Sequence, residues 1–246
     1  MSRLQSISVI IPAYNEEDNI GLMLKKIGKA LDDSELDYEI IVVDDGSIEN
    51  TLSCVKYLAN NGDKIKVLRH QRREGKSAAL RTGFSHAEGD IIVMIDADLQ
   101  YDPKEIGVFV RALEEGYDVV NGWKDYSKYP LRRRIVSNIY NCLTKRLLGG
   151  RVHDLNCGFK AFRPYVLENV IDEFGWSKGI HRFLISLCYV LGYRIGEIKV
   201  SLHPRTNGKS KYGLERLLEG LLLLLFLTLK VKVIQRGNFT VKRNAL

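Results

Sequence analysis

The stretch "FSHAEGDIIVMIDADLQYDP", residues 84–103, runs from a polar turn through an apolar segment and ends on two aspartates one residue apart. An uninterrupted Ile/Val/Met run of this kind is typical of a strand that is buried on both faces of a sheet. Asp96 and Asp98 follow the run directly, and Gln100 lies two residues further on. The stretch therefore predicts a buried strand whose carboxyl end carries three oxygen-bearing side chains.

Similar apolar runs precede this strand and alternate with helix-like segments. The runs are "ISVIIPAY" (7–14), "YEIIVVDDGS" (38–47) and "IKVLRH" (65–70), and the segments between them are "NIGLMLKKIGKAL", "TLSCVKYLAN" and "SAALRTGFSHA". This alternation predicts a βαβαβαβ order and hence an α/β fold, a parallel sheet with helices on both faces. Residues 104–200 alternate less cleanly.

Composition limits the class of protein. The 246 residues, 45% hydrophobic and 27% charged, are enough for one large globular domain. Four cysteines lie far apart without a C-x-x-C pair, which argues against a zinc site and a disulfide framework and favours a reducing cytosol. The first residues lack an apolar h-region and a small-residue cleavage site, so we expect no signal peptide.

The chain is basic, with a net charge of +7 and a pI of about 9.1. Such a charge suits nucleic acid, an anionic membrane surface or phosphorylated substrates. Because the basic residues are interleaved with acidic ones and no recognition module is present, we expect no nucleic-acid partner.

Two common nucleotide motifs are absent. No G-x-G-x-x-G follows the first strand, and Glu16, Glu17 and Asp18 in the first turn of the next helix would repel a phosphate. The segment "REGKSAAL" resembles the end of a Walker loop, but His70 stands where that loop requires glycine. These patterns argue against a dinucleotide enzyme and an NTPase.

The aspartates after the fourth strand predict a metal site. Two carboxylates and an amide oxygen are hard ligands that suit Mg²⁺ or Mn²⁺, which commonly complete their coordination with water and substrate phosphates. The alternative is that Asp96 and Asp98 only cap a helix or close a turn. Asp44 and Asp45, at another strand end of the same sheet edge, favour the metal site.

Four motifs, in this order and spacing, resemble the family 2 inverting glycosyltransferases: "VIIPAYNEE", "IIVVDDGS", "GKSAALRTGF" and "DADLQ". Three further motifs, "DLNCGFKAF", "HRFL" and "RTNGKSKYG", resemble the polyprenyl-phosphate sugar synthases, of which dolichol-phosphate mannose synthase is typical. The Q-x-x-R-W motif of processive polysaccharide synthases is absent. The resemblance implies a GT-A fold, a Rossmann-like, mostly parallel sheet with helices on both faces, followed here by a C-terminal apolar helix.

The resemblance also implies roles for individual residues. The metal positions are Asp96, Asp98 and Gln100. The catalytic positions are Asp98, Arg205 and Lys211. Asp154 is a further catalytic candidate, as a base or a group that orients the acceptor; the alternative is a loop carboxylate paired with Arg151 or a backbone amide. The nucleotide-sugar positions are Pro12, Tyr14, Glu16, Asp44, Asp45, Lys76, Asp96, Ala97, Lys124, Arg134 and Ser137. Arg134 belongs to an arginine run that would otherwise be a solvated face. His181 is a weaker candidate, since such a histidine is more often a hydrogen-bonded structural group.

The implied reaction is a metal-dependent, inverting transfer of a hexose, mannose by this resemblance, to a polyprenyl or dolichyl phosphate. GDP-mannose and UDP-glucose are the expected donors. A lipid phosphate is already anionic, so it needs electrostatic guidance and no general base. One alternative is transfer to a saccharide hydroxyl, for which Asp154 would serve as the base. The other is a non-catalytic subunit that binds nucleotide sugars.

The C-terminal segment predicts association with a membrane surface. Its uncharged stretch, residues 220–229, has ten residues, about half of the roughly 20 that a spanning helix needs. Basic residues follow it, which suits a helix lying in an anionic interface. Packing against the core, a membrane subunit or a second copy is the alternative. We therefore expect a catalytic domain at 1–213, a membrane-associating or subunit-packing segment at 214–246, and a peripheral location on the cytoplasmic face.

Overall fold

A seven-stranded sheet forms the centre of the molecule. The computed structural model describes residues 6–32, 34, 36–48, 50–59, 64–125, 131–204 and 214–243. The strands are β1 (Ser6–Ala13), β2 (Asp37–Asp44), β3 (Ile65–Arg69), β4 (Ile91–Met94), β5 (Val119–Trp123), β6 (Lys160–Phe162) and β7 (Ile195–Lys199). Their order across the sheet is β3-β2-β1-β4-β6-β5-β7. All neighbouring pairs are parallel except those of β6, which runs antiparallel to β4 and β5.

Helices cover both faces of this sheet. They are α1 (Glu17–Asp32), α2 (Thr51–Ala59), α3 (Lys76–Phe84), α4 (Ile106–Glu114), α5 (Leu131–Leu148), α6 (Pro164–Phe174), α7 (Leu184–Val190) and α8 (Leu214–Arg243). Short 3₁₀ turns lie at Pro103–Glu105 and Ile180–Arg182. The predicted βαβαβαβ order from β1 to β4 is confirmed.

Alternation along β1 shows why two layers of helices are needed. Val9 and Ile11 belong to one core, which the buried side of α1 also enters, while Ile10 belongs to a second core that includes Leu80 of α3. Successive side chains of a strand point to opposite faces, so a strand with apolar residues on both faces must be covered twice.

Helix α8 contributes to the second core. Its residues Leu224, Leu227 and Val231 are buried there. No helix in the described part of the chain combines the length and apolar character needed to cross a membrane. The predicted division of the chain at residue 213 stays a prediction.

Candidate active site

The site lies at the carboxyl ends of β1, β2 and β4, which are neighbours in the order β2-β1-β4. The backbone there is unusual, since Asn15 (φ 52°) and Leu99 (φ 59°) adopt left-handed conformations that side chains other than glycine seldom take. Asn15 is held by side chains, because its N–H donates to Ser47 Oγ at 2.9 Å and its Oδ1 accepts from the Ile48 N–H at 3.1 Å. Leu99 separates Asp98 from Gln100, so the unusual conformation lies within the predicted metal motif. Such backbone strain is common at functional sites.

Two adjoining cavities open at this edge, and both are lined by Gly75, Lys76, Asp96 and Asp98. The larger cavity, of about 270 Å³, is also lined by Ser77, Met94, Gln100, Tyr101, Lys124, Asn156, Cys157, Gly158, Lys178, Gly179, His181, Arg182, Glu219 and Gly220. The smaller cavity, of about 210 Å³, is also lined by Pro12, Ala13, Tyr14, Glu16, Asp45, Arg73, Ala79 and Ala97. The two aspartates of the D-x-D motif therefore stand where the cavities meet.

Asp96 is held between a cation and a glycine. Lys76, the first residue of α3, forms an ion pair with Asp96 Oδ1. On the other side, a Cβ added to Gly158 would lie 2.3 Å from Asp96 Oδ2. The Gly158 N–H donates to the Tyr101 hydroxyl oxygen at 2.8 Å, which fixes the loop. Glycine at position 158 therefore leaves the room that the Asp96 carboxylate occupies.

The donor set fits a divalent cation that is shared with a substrate. Asp98 is largely buried, and its Oδ1 accepts from the Gln100 N–H at 3.3 Å. In the part of the chain that the structure describes, no group of three or more His, Cys, Asp or Glu side chains is suited to a metal. Magnesium is often held by one or two carboxylates together with substrate phosphates. Asp96 and Asp98, with Gln100 beside them, match that arrangement.

The smaller cavity contains most of the predicted nucleotide-sugar residues. Tyr14 lies on its wall, with the Arg73 guanidinium 4.1 Å from the ring centroid. Asp45 organises the loop before α3, because its carboxylate accepts from the N–H groups of Glu74 and Gly75, each at 2.8 Å. His70 Nδ1 also lies 2.9 Å from Asp45 Oδ1.

Asp44 faces elsewhere. It is fully buried, with Oδ1 accepting from the Ser47 N–H at 3.1 Å and Oδ2 lying 3.3 Å from Arg69 Nε. It lines neither cavity. Asp45 lines the smaller cavity and Asp44 does not, so the predicted contact of Asp44 with the nucleotide sugar stays a prediction.

Lys124 and Asp154 meet behind the larger cavity. Lys124 lines the cavity, and its Nζ lies 3.9 Å from Asp154 Oδ2. Asp154 is 1% exposed and does not belong to the cavity lining, and its Oδ1 accepts from the Asn156 N–H at 2.9 Å. The structure therefore places Asp154 beneath the loop that lines the cavity, and its role as a base stays a prediction.

A buried lysine supports the same loop. Lys160 of β6 is 1% exposed and donates to the Cys157 carbonyl oxygen. Burial lowers the pKa of Lys160 to about 8, and burial also raises the pKa of the Cys157 thiol and that of the Tyr101 hydroxyl. The loop at the cavity wall thus rests on side chains whose charged forms are disfavoured by burial.

Two of the remaining predicted residues are described, and neither lines a cavity. On α5, Arg134 is exposed and Ser137 is half-buried, and neither lines a cavity. Arg205 and Lys211 lie outside the described residues. Their predicted contacts with phosphates stay predictions.

The structure adds cavity residues that sequence reasoning did not assign to the site. Lys178 and Arg182 bring two further cations to the larger cavity. Glu219 of α8 forms an ion pair with Lys178 at 2.9 Å, and a Cβ on Gly220 would lie 3.1 Å from Arg182 Nη1. Arg182 lies in the "HRFL" motif, from which its place at the site could have been predicted. No motif contains Lys178 or the α8 residues.

Comparison with known proteins gives a family match over most of the chain. The model of glycosyl transferase family 2 matches residues 8–171. The undecaprenyl-phosphate 4-deoxy-4-formamido-L-arabinose transferase of Edwardsiella ictaluri is 34% identical over 216 residues, which is 87% of this chain. The dodecaprenyl-phosphate galacturonate synthase of Rhizobium johnstonii is 34% identical over 226 residues, 89% of this chain. The chain spans 65% of the length of each of these relatives.

Solved structures show the same fold at lower identity. Glucosyl-3-phosphoglycerate synthase from Mycobacterium tuberculosis, solved with Mn²⁺, UDP-glucose and phosphoglyceric acid, has a TM-score of 0.67 at 22% identity, covering 91% of this chain and 79% of that one. A mannosyltransferase from Pyrobaculum calidifontis, solved with GDP-mannose and Mn²⁺, has a TM-score of 0.64 at 23% identity, with coverages of 85% and 59%. These likenesses show the GT-A-like α/β fold that the sequence motifs predicted.

Proposed function

Because the chain belongs to glycosyl transferase family 2, we propose that it transfers a sugar from a nucleotide sugar to a polyprenyl phosphate at a membrane surface. The two curated relatives described above are named for this class of reaction, with 4-deoxy-4-formamido-L-arabinose and galacturonate as their sugars. Mannose, implied by the sequence motifs, stays a prediction for this chain.

The observation that carries this proposal is the junction of a basic cavity with an exposed apolar stripe. Lys76, Lys124, Lys178 and Arg182 line the larger cavity, and Glu219 and Gly220 place α8 in its wall. Next to that wall, α8 exposes apolar side chains at positions that fall within an arc of about 100° on a helix: Leu218, Leu222, Leu225, Phe226, Leu229 and Val233. An acceptor with an anionic head and a long hydrocarbon tail matches both features.

Helix α5 adds further exposed apolar side chains. It packs against α8 and exposes Leu131, Ile135, Val136 and Ile139. Large contiguous apolar patches are rare on soluble monomers and mark sites of membrane or protein contact. Lys230 and Lys232 of α8 would face anionic lipid headgroups. We therefore propose that α5 and α8 rest on the cytoplasmic face of a membrane; a membrane subunit or a second copy of the chain is the alternative occupant.

The chemistry follows from the charges in the two cavities. Asp96 and Asp98 would hold Mg²⁺ or Mn²⁺, which neutralises the diphosphate of the donor when it is bound. The smaller cavity would receive the nucleoside. Lys124, Lys178 and Arg182 would orient the acceptor phosphate, whose oxygen attacks the anomeric carbon with inversion while the nucleoside diphosphate leaves.

The test is a panel of radiolabelled nucleotide sugars incubated with undecaprenyl phosphate and Mg²⁺ or Mn²⁺. GDP-mannose, UDP-glucose and UDP-galacturonate should be included, with extraction into organic solvent as the readout. We expect a lipid-linked product from one donor. Product formed only with saccharide acceptors, together with complete loss of activity in Asp154→Asn, would instead support the hydroxyl-acceptor mechanism. Donor binding without any transfer would support a non-catalytic subunit.

A further inference from the structure

A chain of hydrogen bonds connects the start of α3 to the wall of the larger cavity. Ser77, the second residue of α3, is buried. The Gly179 N–H donates to Ser77 Oγ at 2.9 Å, and His181 Nδ1 lies 2.6 Å from the same oxygen. Trp176 Nε1–H donates to the Ser77 carbonyl oxygen at 2.6 Å. Ser77 and His181 both line the larger cavity.

These contacts favour one tautomer of a neutral His181 ring. A serine hydroxyl has one proton to donate and two lone pairs to accept with. In the described part of the chain the partners of Ser77 Oγ are the Gly179 N–H, which can only donate, and His181 Nδ1. Of these two partners only Nδ1 can accept the hydroxyl proton, so both contacts are satisfied when Nδ1 is the acceptor. A neutral His181 ring then carries its own proton on Nε2.

The same turn of α3 also controls the metal motif. Lys76, adjacent to Ser77, forms the ion pair with Asp96. Of the first two residues of α3, Lys76 therefore pairs with an aspartate of the D-x-D motif and Ser77 contacts the His181 ring. In that tautomer, the Nε2–H of His181 would be a hydrogen-bond donor at the wall of a cavity that also contains several cations.

We propose that His181 is a substrate-binding residue that donates a hydrogen bond from Nε2 to a phosphate oxygen bound in the larger cavity. Ser77 is the positioning residue that fixes the tautomer. The inference rests on the proposed function only in that it requires a phosphate in this cavity. The nucleotide sugar and the lipid acceptor both carry such a phosphate, and His181 would recognise the same chemistry in either.

The first experiment is NMR of the full chain labelled with ¹⁵N-histidine. The His181 signals are assigned by their loss in His181→Gln. We expect an unprotonated Nδ1 and a protonated Nε2, with the Nε2 signal moving on addition of inorganic pyrophosphate with Mg²⁺, or of undecaprenyl phosphate in detergent. The probe that moves it identifies the source of the phosphate. A protonated Nδ1, a signal unmoved by probes that calorimetry shows to be bound, or no binding of either probe would overturn the proposal.

The second experiment compares variants in the transfer assay. His181→Phe should lower kcat/KM at least about tenfold, and His181→Gln, which retains an N–H donor, should recover part of the loss. Ser77→Ala should give a mixture of His181 tautomers in the NMR spectrum and a smaller loss, and Ser77→Thr should restore the single tautomer. His86→Phe, at an exposed histidine outside both cavities, is the matched control. Wild-type kcat/KM in a stably folded His181→Phe protein would refute the inference.

The two proposals fail separately. If the wild-type protein makes no lipid-linked product from any donor, the proposed function fails. The NMR experiment with pyrophosphate still decides the role of His181 in that case, because it requires no turnover. If transfer occurs but His181→Phe is fully active, only the inference about His181 fails.

Discussion

Substitution of Gly158 by alanine tests the geometry of the D-x-D motif most directly. The added Cβ would lie 2.3 Å from Asp96 Oδ2 and 2.7 Å from Asp96 Cγ, whereas an ordinary contact begins at 3.4 Å. The carboxylate must therefore move by about 1 Å. Because the Asp96 side chain is 30% exposed, it has room to swing away. The substitution should thus displace a metal-binding oxygen and leave the fold in place.

The magnitude follows from that displacement. A misplacement of about 1 Å in a catalytic group can lower the rate on the order of 100-fold, which corresponds to about 3 kcal/mol of transition-state stabilisation. Overpacking in a fully confined core typically costs about 1–3 kcal/mol of stability. We expect the lower end, about 1 kcal/mol, because the Asp96 side chain can move toward the cavity.

The assay is steady-state transfer over a Mg²⁺ or Mn²⁺ titration, with thermal unfolding measured in parallel. Gly158→Ala should need more metal and turn over about 100-fold more slowly. Gly21→Ala in α1 is the matched control, since its Cβ would approach an atom only at 3.9 Å; it should be fully active and no less stable. A Gly158→Ala protein with wild-type activity and metal dependence would refute the assignment of Asp96 as a metal ligand.

Asp98→Asn should abolish transfer with little change in melting temperature, because it removes an anion at the cavity and no apolar contact; full activity in metal-containing buffer would contradict the metal site. The pKa of Lys160 is about 8 in the folded protein, and in the unfolded chain it has the ordinary lysine value of 10.5. Between pH 8 and pH 10.5 the unfolded state therefore binds more protons than the folded state, so the free energy of unfolding should rise with pH. Denaturant titrations should show a rise on the order of 3 kcal/mol for the wild type relative to Lys160→Met. Leu222→Glu with Leu229→Glu should weaken flotation with anionic liposomes several-fold, and Leu22→Glu on α1 should not; equal binding by all three proteins would exclude the α8 stripe as the membrane contact.

Much of the fold was predictable because its determinants are local. The apolar runs of β1, β2 and β4 require burial on both faces, and the spacing of Ile20, Met23, Leu24 and Ile27 gives α1 one apolar side. Carboxyl ends of parallel strands share an edge, so Tyr14, Asp45 and the D-x-D residues were expected together. The structure brings these residues to the two adjoining cavities.

Contacts between distant segments decided the rest. The short antiparallel β6 inserts between β4 and β5, and a three-residue strand has too little sequence for periodicity to reveal it. Which of Asp44 and Asp45 faces the cavity depends on the direction in which the chain leaves β2. Neither question has a local signature in the sequence.

The cavity wall itself is a tertiary feature. The sequence motifs predicted membership of glycosyl transferase family 2, which the family model confirms, and a D-x-D motif at a strand end. Only the folded chain brings Gly158 against Asp96, Ser77 against His181, and Glu219 against Lys178, pairs separated by 62, 104 and 41 residues. Packing of α8 on the second core places its first turns at the cavity, so a segment that reads as a separate tail becomes part of the site. Such proximity depends on how elements pack against one another, and the sequence of each element alone does not contain it.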